Sequence, residues 1–153
     1  MKTAKEIREE KKSCLEFRVF SLKEEIAELE AQNKKAEAKG IESWLGNSFE
    51  SSSCLTEEFD SFYKQYRKEL KAKLKGFELV NISRGHFDIS GFVKNTATEK
   101  LAYFSTSDVR YSPDNWYNNI LVRTAQHDKD YSGGRNDNAN WNSLFDKLIN
   151  LTA

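Results

Sequence analysis

The residues of this chain that could support chemistry are concentrated in one polar segment, residues 122–136, which reads VRTAQHDKDYSGGRN. Loops of this length are uncommon in compact domains unless they bind something or lack a fixed structure. Tyr, Arg and Asn side chains make contacts at low entropic cost and are common at binding surfaces. The segment therefore predicts a recognition loop, with Arg123, Tyr131 and Arg135 as candidate partner-binding residues.

The two histidines, His86 and His127, raise the hypothesis of a metal-free ribonuclease. Such an enzyme needs a general base and a general acid that work near pH 7, with cations that stabilise the charge of the phosphorane. His86 or His127, together with Arg123, Lys129 or Tyr131, could provide these groups. The alternative interpretation places both histidines on ordinary strand or loop surface.

Other catalytic and metal-binding patterns are weak or absent from the sequence. There is no G-x-S-x-G nucleophile motif, and the glycines of residues 133–135 lack the Lys-Ser/Thr of a nucleotide-binding loop. Cys14 and Cys54 lack metal-ligand spacing and are typical of reduced thiols. The run HDKD at 127–130 could hold a hard cation, but such runs are common in polar loops. We expect no metal and no cofactor, and we favour a binding protein over the ribonuclease.

The charge distribution is neutral overall but locally basic. The chain has 24 basic and 24 acidic residues, so bulk charge does not attract nucleic acid. Residues 64–75, KQYRKELKAKLK, hold six basic side chains and one acidic one. This run is either the solvated side of an amphipathic helix or a phosphate-binding face, with Tyr63 and Tyr66 as stacking groups if they are exposed. The candidate nucleic-acid-binding residues are Lys64, Arg67, Lys68, Lys71 and Lys75.

Composition changes near Gly76, which predicts a helical region over 1–75 and an α+β domain over 76–153. Thr3 with Glu6 and Ser21 with Glu24 match the capping-box pattern, so we expect the first helix to be broken or restarted near Ser21. Gly40 is a plausible end of that helix.

Apolar residues in the first helix recur at alternating spacings of four and three over residues 15–36. This is the a/d pattern of a coiled coil, and one polar residue within it could set the register. The seam either packs against a second copy of the chain or folds back on the next helix. Its members are Leu15, Val19, Leu22, Ile26, Leu29, Asn33 and Ala36.

A basic helix is predicted over residues 56–75, with Thr56 as its N-cap and Gly76 as its terminator. Its apolar stripe has the spacing of a buried helix face. The residues of this stripe are Phe59, Phe62, Tyr63, Tyr66, Leu70 and Leu74.

Beyond Gly76 the apolar period shifts toward two, as in β-strands. Strands are predicted over 77–82, 86–94, 100–106 and 120–124, and an amphipathic helix over 139–150. The expected fold is α+β: an N-terminal helical arm or hairpin, then a small antiparallel sheet of three or four strands packed against the C-terminal helix. No apolar stretch approaches a membrane span, so we expect a cytoplasmic protein.

Two arginines outside the basic helix are further candidates for partner contacts, Arg110 and Arg123. Arg123 follows Val122 in a predicted strand and therefore points to the opposite face. If Val122 faces the core, Arg123 is either exposed for partner binding or paired with Asp108 or Asp130.

Several short motifs together carry a resemblance to a known family. They are the runs GHFDISGF at 85–92, FSTSDVR at 104–110, WY at 116–117, LVRTA at 121–125 and DYSGG at 130–134. Together they resemble a module in small proteins encoded by plasmids and phages of Gram-positive bacteria. Some of these are anti-CRISPR proteins that inhibit type II-A Cas9. The resemblance covers roughly residues 84–135 and not the helical region.

The resemblance implies a Cas9 inhibitor in a bacterial host cell that acts at the level of the guide RNA. It would bind Cas9, the guide RNA or both, and block guide loading or function. One alternative is a ribonuclease-like activity that shortens the guide RNA. Another is a plasmid-maintenance or structural interaction protein that dimerises through residues 15–36.

Overall fold

The computed structural model describes residues 1–49, 57–85 and 87–153, and only the backbone of residues 33 and 35–39. The chain forms two compact units, Met1–Ser43 and Trp44–Ala153. The change of composition at Gly76 lies inside the second unit, where a helix gives way to the sheet. The side chains of Asn33 and Ala36 lie outside the described residues, as do Thr56, Cys54 and His86.

The first unit is dominated by one helix, α1, which runs without interruption over Ala4–Lys39. Its predicted capping box is confirmed: the backbone N–H of Thr3 donates to Glu6 Oε2 at 2.6 Å, and the backbone N–H of Glu6 donates to Thr3 Oγ1 at 3.3 Å. The expected break near Ser21 is wrong. Leu, Lys and Glu around Ser21 are strong helix formers, and their helix propensity keeps the helix continuous despite the capping pattern.

Gly40 ends α1 as predicted, because its φ of 69° lies in the left-handed region that glycine adopts without strain. A short 3-10 helix, Gly40–Trp44, follows it.

The second unit is an α+β fold, as predicted. It contains an antiparallel sheet of five strands in the order β1-β2-β3-β4-β5. Its elements are α2 Glu57–Lys73, β1 Phe77–Arg84, β2 Ile89–Asn95, β3 Leu101–Ser105, α3 Asn115–Asn118, β4 Ile120–Ala125, β5 Asp137–Ala139 and α4 Leu144–Leu151.

Three details of the predicted elements need correction. The sheet has five strands rather than three or four, since residues 137–139 pair with β4. The C-terminal helix consequently starts at Leu144 rather than near Ala139. Helix α2 ends at Lys73, two residues before the predicted end, and Gly76 with a φ of 90° makes the turn into β1.

The core lies between one face of the sheet and the helices. Ile89, Val93, Phe104 and Val122 are buried on that face, and α2 contributes Phe59, Phe62, Tyr66 and Leu70, all fully buried. Aromatic contacts tie α2 to the rest of the unit: the Phe62 ring lies 5.2 Å from the ring of Trp116, centroid to centroid. The predicted apolar stripe of α2 is confirmed except for Tyr63, which is only half-buried.

The other face of the sheet is also covered. Phe92, Tyr103 and Arg123 lie side by side on adjacent strands, and Phe92 is completely buried. The loop after β4 returns over this face and places the Tyr131 ring 5.3 Å from Phe92 and 6.0 Å from Tyr103. We call these four residues the Arg123 cluster.

Among the described helices, none combines the length and the apolar character that crossing a bilayer requires.

Candidate functional site

The predicted cationic side of α2 is exposed to solvent. Lys64, Arg67, Lys68 and Lys71 lie on the helix, and Lys75 lies in the turn that follows it. At 3.6 residues per turn the four helical side chains fall within an arc of roughly 100°, away from the buried stripe. We call these five residues the basic face.

Most of the positive charge on the basic face is not neutralised. Lys64 pairs with Asp60 at 2.7 Å, and its hydrogen bond lowers the pKa of the Asp60 carboxyl. Within the part of the chain that the structure describes, no carboxylate oxygen lies within 4.0 Å of the cationic groups of the other four residues. From Arg67 to Lys71 these charges span about 6 Å along the helix axis at 1.5 Å per residue, and Lys75 lies beyond the end of the helix. Such a row of free cations can contact several phosphates of one strand.

The hypothesis that Tyr66 stacks on bases is wrong. Its side chain is fully buried, with its ring 5.1 Å from the ring of Trp141 and 6.1 Å from that of Trp116. Burial raises the pKa of the Tyr66 phenol well above its ordinary value. Tyr66 therefore anchors the helix, and only the half-buried Tyr63 retains an exposed edge.

Arg123 is not exposed, contrary to one of the two sequence-based expectations. It is 8% exposed, and its guanidinium carbon lies 4.3 Å from the Tyr103 ring centroid. Its Nη2 donates to the backbone carbonyl of Asp130 at 3.4 Å, and its Nη1 donates to Asn136 Oδ1 at 3.5 Å. The expected pair with a carboxylate of Asp108 or Asp130 is also absent among the described residues. The loop after β4 packs over this face of the strand and shields Arg123 from solvent.

Arg110 has its charge compensated locally. Its Nε and Nη2 donate to the Asp108 carboxylate at 2.6–3.2 Å, and its guanidinium lies 4.5 Å from the Phe87 ring centroid. The guanidinium is thus held by its own segment, and its role in partner binding stays a prediction.

The recognition loop is ordered by Asp130. Its carboxylate accepts the backbone N–H of Gln126 at 3.0 Å and that of Gly133 at 2.7 Å. These backbone hydrogen bonds, Gln126 first, hold the pKa of the Asp130 carboxyl below its ordinary value. They shape a polar concavity that also includes Thr124, His127 and Gly134.

In the same loop, Tyr131 and Arg135 are both exposed, so they remain available to a partner. Tyr131 is 58% exposed although one part of its ring packs in the Arg123 cluster.

The described residues give little geometric support to the ribonuclease hypothesis. His127 is exposed, and its Nδ1 accepts the backbone N–H of Lys129 at 3.2 Å. His86 lies outside the described residues. The residues that the structure describes contain no group of three His, Cys, Asp or Glu side chains placed to hold a metal ion.

Two residues that organise the loop were not identified from the sequence. Tyr103 is opposite Arg123 in the β3–β4 register, and strand pairing is not visible in single-sequence patterns. The signal for Asp130 was present: an Asp three residues before a Gly is typical of a side chain that caps its own turn.

The fold and its surfaces define a two-unit α+β protein with a basic helix face and an ordered polar loop. Comparison with family models, with curated proteins and with solved structures gives no match.

Proposed function

We propose that this protein is a non-enzymatic inhibitor of type II-A Cas9 that binds Cas9, its guide RNA or both, and blocks guide loading or function. The resemblance of residues 84–135 to plasmid- and phage-encoded modules motivates the target. The basic face supplies a physical means of engaging the guide.

The observation that carries the proposal is the placement of the free cations of α2. Phe62, Tyr66 and Leu70 are fully buried, so the helix cannot rotate to hide its opposite side. Arg67, Lys68 and Lys71 are held in solvent without carboxylate partners among the described residues. Because the helix backbone is already fixed, only the side chains become ordered when these cations meet phosphates, and their binding releases counterions from the RNA.

The recognition loop supplies the more specific contacts. Asp130 fixes its path, and Tyr131 and Arg135 project from it into solvent. An aromatic ring and a guanidinium on an ordered loop are well suited to a protein surface or an unpaired base. Arg123 supports this loop from the sheet, since its guanidinium donates to the carbonyl of Asp130 and is shielded from solvent.

The experiment is an electrophoretic assay of Cas9 loading with guide RNA, in the absence and presence of a molar excess of the protein. We expect the loaded complex to decrease with wild type and to be restored by Arg67→Gln, Lys68→Gln, Lys71→Gln. The matched control is Lys2→Gln, Lys5→Gln, Lys34→Gln, which removes the same charge from exposed positions in the first unit. Unimpaired loading and unimpaired target cleavage with wild type would eliminate the proposal.

The same assay tests the ribonuclease alternative. Guide RNA recovered from each reaction is sized on a denaturing gel, with wild type and with His86→Ala and His127→Ala. RNA that is shortened by wild type but stays full-length with either variant would establish catalysis. Full-length RNA throughout, with loading still blocked, supports the binding mechanism.

A further inference from the structure

The apolar side chains of α1 at residues 15–29 are exposed and have the spacing of a helix that packs against a partner helix. We call Leu15, Val19, Leu22, Ile26 and Leu29 the α1 seam; each is 49–62% exposed. Their spacing puts Val19 and Ile26 at coiled-coil a positions and the three leucines at d positions. A solvated helix gains nothing from such a repeat, whereas a paired helix buries it.

We propose that the partner is a second copy of this chain, and that the two α1 helices form an antiparallel coiled coil. In this dimer each residue n at an a or d position packs against residue 41 − n of the other copy. Four layers are then fully apolar: Val19 faces Leu22, Leu15 faces Ile26, and both pairs occur twice by symmetry. Leu29 faces Lys12 in the layers next to these. Because α1 spans Ala4–Lys39, this register overlaps almost the whole length of the two helices.

Charge complementarity selects the antiparallel orientation. Positions e face e and positions g face g across an antiparallel pair, so Glu16 meets Lys23 and Arg18 meets Glu25, each twice. Against these four opposite-charge contacts, Glu9 meets Glu30 twice. A parallel pair would instead place Arg18 against Lys23 and Glu25 against Glu30, also twice each, with Lys11 against Glu16 as its opposite-charge pair. All of these side chains are exposed, and no ion pair engages them within the described residues.

Core packing and charge together select the register. A shift of one heptad in one direction sets Leu22 against Lys12 and Ile26 against Arg8, so that only the Leu15–Val19 layers stay apolar. A shift in the other direction sets Lys23 against Lys23 and Glu25 against Glu25. The first shift loses apolar layers and the second brings like charges together, so the register centred between residues 20 and 21 is the one that the sequence favours.

Two exposed aromatic residues lie outside the seam. Phe17 and Phe20 are 73% and 58% exposed and fall at the f and b positions, which point away from the partner helix. The proposed dimer leaves them in solvent. The α1 seam, and not these rings, is therefore what the dimer explains.

The test is sedimentation equilibrium of the full chain, with Lys23→Glu as the diagnostic variant. We expect wild type to approach twice the chain mass of 17.7 kDa with rising concentration. Lys23→Glu sets a second carboxylate against Glu16 at two symmetric places and should weaken the dimer on the order of tenfold. Adding Glu16→Lys restores an opposite-charge pair and should return affinity to within about twofold of wild type.

Lys34→Glu is the matched control, since it makes the same charge change at an exposed b position away from the interface. It should leave the dimer unchanged. Circular dichroism of every variant checks that α1 remains helical.

Three results would overturn the proposal. One is a monomer at all concentrations, which would leave the seam to a different protein. Another is a tighter dimer in Lys23→Glu, since in a parallel pair Arg18 would then meet a carboxylate in place of an ammonium group. The third is a dimer insensitive both to Lys23→Glu and to Leu22→Glu, Ile26→Glu, which would place the interface elsewhere. None of these outcomes bears on Cas9 inhibition, so the two proposals fail separately.

Discussion

The guanidinium carbon of Arg123 lies 4.3 Å from the ring centroid of Tyr103, its neighbour across the β3–β4 pairing. This contact joins the sheet to the recognition loop, because the same guanidinium donates to the carbonyl of Asp130. Arg123 Nε is buried and has no hydrogen-bond partner in the described structure. The ring face of Tyr103 and the hydrogen bonds to Asp130 and Asn136 thus compensate a charge that is almost entirely shielded from water.

The first prediction concerns the stability of the Arg123 cluster. Arg123→Ala removes the cation–π contact and the packing of the side chain, and should lower the free energy of unfolding by about 1–3 kcal/mol. Chemical denaturation followed by tryptophan fluorescence measures the loss. Arg135→Ala, at an exposed position in the same loop, should change it by less than about 0.5 kcal/mol. Equal effects of the two substitutions would show that the cluster does not stabilise the fold.

A second prediction separates steric crowding from backbone strain at two glycines. Gly134 and Gly46 have nearly equal φ values, 76° and 75°. A Cβ at Gly134 would lie 2.5 Å from the Thr124 carbonyl oxygen, whereas a Cβ at Gly46 would meet no atom of the described residues within 4 Å.

Gly46→Ala should therefore lower the free energy of unfolding by about 1–2 kcal/mol, the cost of holding an alanine in the left-handed conformation. Gly134→Ala should cost clearly more, because the loop must also move away from β4. Thermal unfolding of both variants provides the comparison. A smaller loss for Gly134→Ala would mean that the loop does not depend on its close approach to Thr124.

The third prediction is a pH dependence of the recognition loop. Folding lowers the pKa of Asp130, so the stability that its hydrogen bonds contribute is complete above the unfolded-state pKa and is lost as pH falls through the folded-state pKa. The amide protons of Gln126 and Gly133 should therefore shift together in an acid NMR titration. Asp130→Asn should abolish this joint transition, and Asp146→Asn, an exposed residue of α4, should leave it intact. Amide shifts that persist in Asp130→Asn would assign the transition to another group.

The fourth prediction concerns the salt dependence of guide RNA binding. Removal of one phosphate contact should reduce the slope of log affinity against log salt concentration by roughly 0.7–0.9. Arg67→Gln, Lys68→Gln, Lys71→Gln should thus lower the slope by about two to three, as measured by fluorescence anisotropy. These residues are exposed, so the stability of the fold should hardly change. Salt-independent association of wild type would rule out phosphate binding by the basic face.

Much of the fold follows from local patterns in the sequence. The stripe of Phe59, Phe62 and Leu70 repeats at helical spacing, and β2 alternates between core and opposite face, so both elements could be predicted. Strand β5 could not, because Asp137–Ala139 is short and polar and becomes a strand only by pairing with β4. The continuity of α1 through Ser21 was missed since one capping pattern occurs both at helix starts and inside helices.

The candidate site was predictable only in part. Exposure of the cations of α2 follows from the burial of the opposite stripe, and that prediction needed nothing beyond periodicity. The burial of Arg123 did not follow, because alternation along β4 places it off the core face but does not reveal what covers the other face. That cover comes from Tyr131, further along the chain in a loop whose path is set by the Asp130 hydrogen bonds.

The most direct test of the Cas9 proposal is inhibition of target-DNA cleavage as a function of protein concentration, with the protein present during guide loading. Wild type and the Lys2→Gln, Lys5→Gln, Lys34→Gln control should inhibit equally, whereas Arg67→Gln, Lys68→Gln, Lys71→Gln should need at least about tenfold more protein, the equivalent of about 1.4 kcal/mol. Superimposable inhibition curves for all three proteins would contradict the role of the basic face, and full cleavage at every concentration of wild type would contradict the function itself.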